Sequence, residues 1–86
     1  MLQKGQVVFS AAGHDQDSFY VVVQVDEDGA CRIADGKRRQ LQSPKRKNPK
    51  HLRPTDSVID LTQIGSDKAL RRALAALRRE PEAEVE

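Results

Sequence analysis

Two runs of residues in this chain have the types and spacing to do chemistry, and both are cationic. Lys37, Arg38 and Arg39 follow directly on Asp35-Gly36, and Lys45-Arg46-Lys47-Asn48-Pro49-Lys50-His51 comes soon after. Guanidinium groups grip phosphates bidentately, lysines act as point charges, and Asn48 can hydrogen-bond a base edge or a sugar. Pro44, Pro49 and Pro54 stiffen the second run, which lowers the entropy lost when it lies along a phosphate backbone. The chemistry of this pattern is polyanion binding, because each neutralised phosphate releases condensed counterions. An ordinary solvated face or a loose basic linker has the same composition.

The raw materials for catalysis are scarce. One cysteine (Cys31) and two histidines (His14, His51) cannot complete a closed zinc site without carboxylates, and there is no CxxC or HxxxH spacing. His14-Asp15 has no nucleophile elbow or second anchoring motif to join it. No P-loop and no GxGxxG is present. Cys31 reads as a small buried thiol in a strand. The chain is expected to be no enzyme and to need no cofactor or metal.

The elements that must carry the cations follow from composition. The chain has 86 residues, 37% of them hydrophobic and 33% charged, with a net charge of +2. That suffices for one small domain but not for a deep substrate cavity. The near-neutral total hides a polarised distribution. Residues 32–53 carry nine basic groups against Asp35, a local +8, while residues 1–31 and 54–86 are both net acidic. No apolar run approaches the length of a membrane span, about 18 residues. The opening MLQKGQVVFSAAG lacks the pattern of a secretory signal, and a lone cysteine fits a reducing compartment.

Hydrophobic periodicity predicts a β-meander. Gln6–Ser10 reads as a strand, residues 11–18 as a loop, and Phe19–Val25 as a central strand apolar on both faces. Asp26-Glu27-Asp28-Gly29 reads as a hairpin turn leading to a strand at Ala30–Ala34. Asp35-Gly36 predicts a second tight hairpin, with Lys37–Gln42 returning as a strand. Ser43–Thr55 is then an extended, irregular arm that Leu52 pins to the core. Val58, Ile59, Leu61 and Ile64 make either a fifth short strand or a segment laid across the barrel.

Ser66 is placed to cap a helix over about 67–79 that Pro81 ends, before an acidic tail at 81–86. Leu70, Leu74 and Leu77 share one stripe, and Arg71, Arg72, Arg78 and Arg79 fall opposite. The stripe has no aromatic residue and the barrel needs a cover, which favours packing on the domain over a membrane surface. Phe9, Phe19 and Tyr20 read as core, with Tyr20 alone given any prospect of facing a nucleotide. Recognition is therefore expected to rest on backbone and shape rather than on stacked bases.

The run Gly5-Gln6-Val7-Val8-Phe9-Ser10, then Ala12-Gly13-His14-Asp15 and Phe19-Tyr20-Val21-Val22-Val23, resembles the KOW motif of ribosomal and transcription-linked proteins. Ala34-Asp35-Gly36-Lys37-Arg38-Arg39 and Lys45 through Thr55, ending in His-Leu-x-Pro-Thr, resemble the "fourteen" family of archaeal and eukaryotic large-subunit ribosomal proteins and its short bacterial relatives. The resemblance spans about residues 4–79 and extends to Ile59-Asp60-Leu61 and the Ser66-Asp67 helix start.

The resemblance implies a mainly β, SH3-like (KOW) antiparallel barrel with a C-terminal amphipathic helix. It also implies binding to ribosomal RNA in or near the large subunit, in the cytoplasm. By position, it assigns RNA contact to Gly13 and His14, to Lys37, Arg38 and Arg39, and to Lys45, Arg46, Lys47, Asn48, Lys50 and His51. Gln16-Asp17 departs from the basic, glycine-bearing loop common in KOW proteins. The expected organisation is a barrel with its basic arm over 1–55, an extension over 56–80 and the tail. Expected partners are ribosomal RNA and ribosomal proteins, with no membrane, for a chain monomeric when free. The alternative is an interaction module that binds an acidic protein partner in transcription or translation.

Overall fold

The computed structural model describes residues 2–10 and 19–85, with side chains up to residue 77. Among these residues five strands form one antiparallel sheet: β1 (Gln6–Ser10), β2 (Phe19–Val25), β3 (Cys31–Ala34), β4 (Lys45–Lys47) and β5 (Leu52–Val58). The spatial order is β4-β3-β2-β1-β5. A 3-10 turn at Pro49–His51 joins the two outermost strands, and a second lies at Leu61–Gln63. The helix α1 (Asp67–Val85) follows. The fold is mainly β, small and barrel-like, with one C-terminal helix among the described residues, as expected of the SH3-like class.

Strand alternation divides the apolar residues between two cores. Val8, Tyr20, Val22, Cys31, Ile33 and Leu52 fill the inside of the curled sheet. Val7, Val21 and Ala34 point the other way, where Leu70 and Leu74 of α1 cover them. The register keeps these sets apart, pairing Val8 with Tyr20 and Val22 with Ile33 on one face and Val7 with Val21 on the other. This explains why Phe19–Val25 is apolar almost throughout, since each of its faces meets a core. Burying Leu70 and Leu74 is worth about 1.5–3 kcal/mol apiece.

The chain between β3 and β5 differs from its expected form. Asp35-Gly36 does not make a two-residue hairpin, and Lys37–Gln42 is not a strand. Instead the Asp35 carboxylate accepts the backbone N–H groups of Lys37 and Arg39, each at 2.9 Å. The N–H groups of Asp35 and Gly36 both donate to the Arg39 carbonyl at 3.0 Å. An aspartate that satisfies its neighbours' amides competes with the sheet ladder for them, so the loop widens to residues 35–44.

The returning strand is therefore β4, and the supposed arm is largely ordered structure. Pro54 sits within β5 opposite Val8, and it is tolerated because β5 is an outer strand. The β1–β5 register shifts between Gln6 and Val8, and there the Thr55 hydroxyl donates to the Val7 carbonyl at 2.8 Å. The side-chain amide of Gln6 donates to the Thr55 carbonyl at 3.2 Å. Val58 ends β5, and Ile59, Leu61 and Ile64 pack half-buried beside the helix-covered core. Of that cluster only Val58 lies in a strand, and the other three follow the second expectation, a segment laid across the barrel.

Helix α1 starts where its cap predicts, with the Ser66 hydroxyl accepting the Ala69 N–H at 3.1 Å. The helix then continues through Pro81 to Val85, past the expected end at Arg79. A proline forfeits one backbone bond in a helix, and here strong helix formers flank it in Glu80, Glu82, Ala83 and Glu84. No helix among the described residues is long and apolar enough to cross a membrane.

Candidate nucleic-acid interface

The basic residues fall into groups with different surroundings. On β4, Lys45 and Lys47 share one strand face and are half-buried, whereas Arg46 lies on the other face and is exposed. Arg46 stands directly opposite Arg32 of β3. Like charges at such a position repel, and an anion must lie between them. Asp26 supplies it. Its carboxylate accepts the Arg32 Nε–H at 3.2 Å and lies 3.6 Å from Arg46 Nε, and Asp28 pairs with Arg46 Nη2.

The Arg32 hydrogen bond, helped by one from Gln24, holds the Asp26 carboxyl below the usual aspartate range. The expected acidic hairpin turn forms here, with the Gly29 N–H donating to the Asp26 carbonyl at 2.9 Å. Burial, with a smaller contribution from Asp26, raises the Cys31 thiol above its ordinary value, consistent with an inert core cysteine.

Beyond β4, Asn48 caps the 3-10 turn, its side-chain oxygen accepting the Lys50 N–H at 3.0 Å. That oxygen is already engaged, which narrows the base-contact role expected of Asn48. Lys50, His51 and Arg53 are exposed along this edge. Arg53, absent from the predicted contacts, continues the row onto β5. Gly13 and His14 lie outside the described residues.

On the wide loop, Lys37 and Arg38 are exposed, while Arg39 is half-buried with its Nε lacking a hydrogen-bond partner. This loop is bound to the start of α1. The Asp67 carboxylate accepts the Leu41 N–H at 2.8 Å, and Arg71 Nη1 donates to the Gly36 carbonyl at 2.7 Å. Gly36 has φ +79°, and a Cβ there would drive into the Asp67 carbonyl oxygen and meet Arg71 Cγ at 3.1 Å. Only glycine permits both the backbone turn and this approach.

Arg71 is thus part of the loop–helix seam and does not lie opposite the leucine stripe as its spacing suggests. The signal in the sequence is Leu74, three residues on, which places Arg71 at the border of the buried stripe. Lys37, Arg38, Arg71 and Asp35 surround a cleft of about 220 Å³ whose apolar wall includes Phe19, Leu74 and Ala75. Tyr20 is fully buried, so the core reading holds for it, whereas Phe19 is half-buried and reaches this cleft.

No family model matches the chain. Over 74 residues it is 28% identical to the large ribosomal subunit protein eL14 of Staphylothermus marinus, a match covering 86% of this chain and 77% of that protein. The chain is similar to eL14. The aligned length takes in the great majority of the chain, so the likeness is not confined to one short motif. The eL14 protein is, as its name states, a protein of the large ribosomal subunit.

Proposed function

We propose that this chain is a KOW-type RNA-binding protein that acts in translation in the cytoplasm, as a component of the large ribosomal subunit or a factor associated with it. The observation that carries this reading is the similarity to eL14 across most of the chain. The concentration of cations on the 35–44 loop, β4 and the 3-10 turn after it supports the reading independently. Lys37 and Arg38 on the loop, with Lys50 and His51 on the turn, are its foremost phosphate contacts, joined by Lys45 and Lys47. Arg46 contributes less because Asp26 and Asp28 already compensate it. The barrel is the binding body, and the extension with α1 braces the basic loop from behind.

The mechanism is electrostatic docking onto folded RNA. For six to eight phosphate contacts, affinity falls about 10³–10⁵-fold between 50 and 200 mM salt. Sedimentation of tagged protein from lysate on a sucrose gradient, with and without RNase, tests the proposal. Co-migration with large subunits that RNase abolishes is expected. Protein that stays at the top, or complexes that survive RNase, would replace it with binding to an acidic protein partner.

A further inference from the structure

The cleft at the seam between the 35–44 loop and α1 combines features that phosphate binding alone does not require. Its apolar wall comes from the half-buried Phe19 and the buried Leu74, with Ala75 beside them. The Phe19 ring is fixed by an edge-to-face contact with Phe9, at 5.2 Å between centroids and 64° between planes. An aromatic surface already oriented in the free protein loses little entropy when a ring docks on it.

Three cations, Lys37, Arg38 and Arg71, surround that wall against one carboxylate, Asp35. The Asp35 carboxylate is turned into its own loop by two backbone N–H groups, which leaves the cationic character dominant. The Arg71 guanidinium spends one N–H on the Gly36 carbonyl, which fixes its position, and a guanidinium has further donors to offer. At about 220 Å³ the cleft is smaller than the roughly 300 Å³ at which small-molecule pockets begin, so it suits one planar ring rather than a larger ligand.

We infer that this cleft receives one unpaired nucleotide of an RNA strand, its base against Phe19 and its phosphate held by Lys37 and Arg71. The inference rests on the RNA-binding reading and adds to it a base-accommodating subsite. It changes the expected mode of recognition, because the contact requires a nucleotide free of its duplex partner. Stacking on an aromatic surface is sequence-tolerant, so the subsite favours unpaired over paired RNA without selecting a particular base.

Nuclear magnetic resonance and fluorescence anisotropy with three probes test this: a single-stranded RNA hexamer, an abasic strand with the same number of phosphates, and adenosine monophosphate. The hexamer is expected to bind about 5- to 100-fold tighter than the abasic strand. It should also shift the amide resonances of Phe19, Lys37, Arg71 and Ala75. Phe19→Leu, which keeps the site apolar, is expected to remove most of that difference and leave abasic binding unchanged. Arg71→Gln should weaken both strands. Equal affinity for the two strands, or unmoved cleft resonances in the wild-type protein, would overturn the subsite and leave electrostatic RNA binding standing. Adenosine monophosphate bound as tightly as the hexamer would put a free nucleotide in place of the strand and overturn it as well. Binding to neither strand would overturn the subsite together with the RNA-binding reading.

Discussion

The two basic regions of this protein look alike in sequence and differ in what surrounds them. Around β4, Arg46 faces Arg32, and the acidic β2–β3 turn neutralises both through Asp26 and Asp28. Around the 35–44 loop, the organising bonds run mainly from backbone amides to Asp35 and Asp67 and from Arg71 to a carbonyl. Those bonds fix positions while consuming few of the cationic side chains. One region therefore uses arginines to tie β4 to the β2–β3 turn, and the other uses hydrogen bonds made largely by backbone groups to hold its loop against α1. A charge count along the chain cannot separate them, because the neutralising acids come from a different stretch of sequence.

The comparison breaks most decisively if the loop loses its seat on α1. Gly36→Ala is expected to cost about 3 kcal/mol or more, since it combines the strain of a positive φ with a clash against the helix backbone. Gly29→Ala has an equally unfavourable φ of +90° but open space around the new methyl group, so about 1–2 kcal/mol is expected. Urea denaturation of the pair separates close approach from backbone strain. Equal losses would mean that the loop–helix seam adds nothing. Leu70→Ala, which opens the core beneath that seam, should cost about 2–5 kcal/mol by the same measurement.

A smaller effect tests whether partnering decides which cations reach RNA. Lys37→Gln is expected to lower the slope of log affinity against log salt by about 0.9, as for one lost phosphate contact on a duplex. Arg46→Gln should change it by less than half as much, because its charge is already compensated within the fold. Fluorescence anisotropy across a salt series reads both slopes. Equal slopes for the two variants would remove the distinction between the regions.

Much of the fold is legible in the sequence because β1, β2 and β3 carry it in local patterns. Their alternation, the Asp26–Gly29 turn and the Ser66 cap depend on residues a few positions apart. The β3–β4 connection is not legible in that way. Asp35-Gly36 has the composition of a tight hairpin, and what widens it is a carboxylate serving two amides and a helix arriving from residues 67–71. Prolines hide β5 similarly, because Pro54 excludes a central strand but not an outer one. For the candidate site, the cationic runs are plain in the sequence. The share taken by Asp26 and Asp28, and the joining of Phe19 to Arg71, require the fold.

The Asp26 cluster offers the finest test, through its pH dependence. Arg32 holds the folded-state carboxyl of Asp26 below its ordinary value. The cluster's contribution is therefore fully present above the ordinary aspartate range and is lost as pH falls through the lower folded value. Wild type and Asp26→Asn should differ by a constant amount in urea midpoint from neutral pH down to about pH 5, and the gap should narrow progressively below that. The carboxyl is half-buried and its arginine partners are more exposed, so the gap is small, and its disappearance on acidification is the informative feature. The same substitution should raise affinity for single-stranded RNA at neutral pH, since it removes a competing anion from Arg46. A variant that loses stability without binding RNA more tightly would show that Arg46 stays withheld by Asp28, leaving the 35–44 loop to supply the contact.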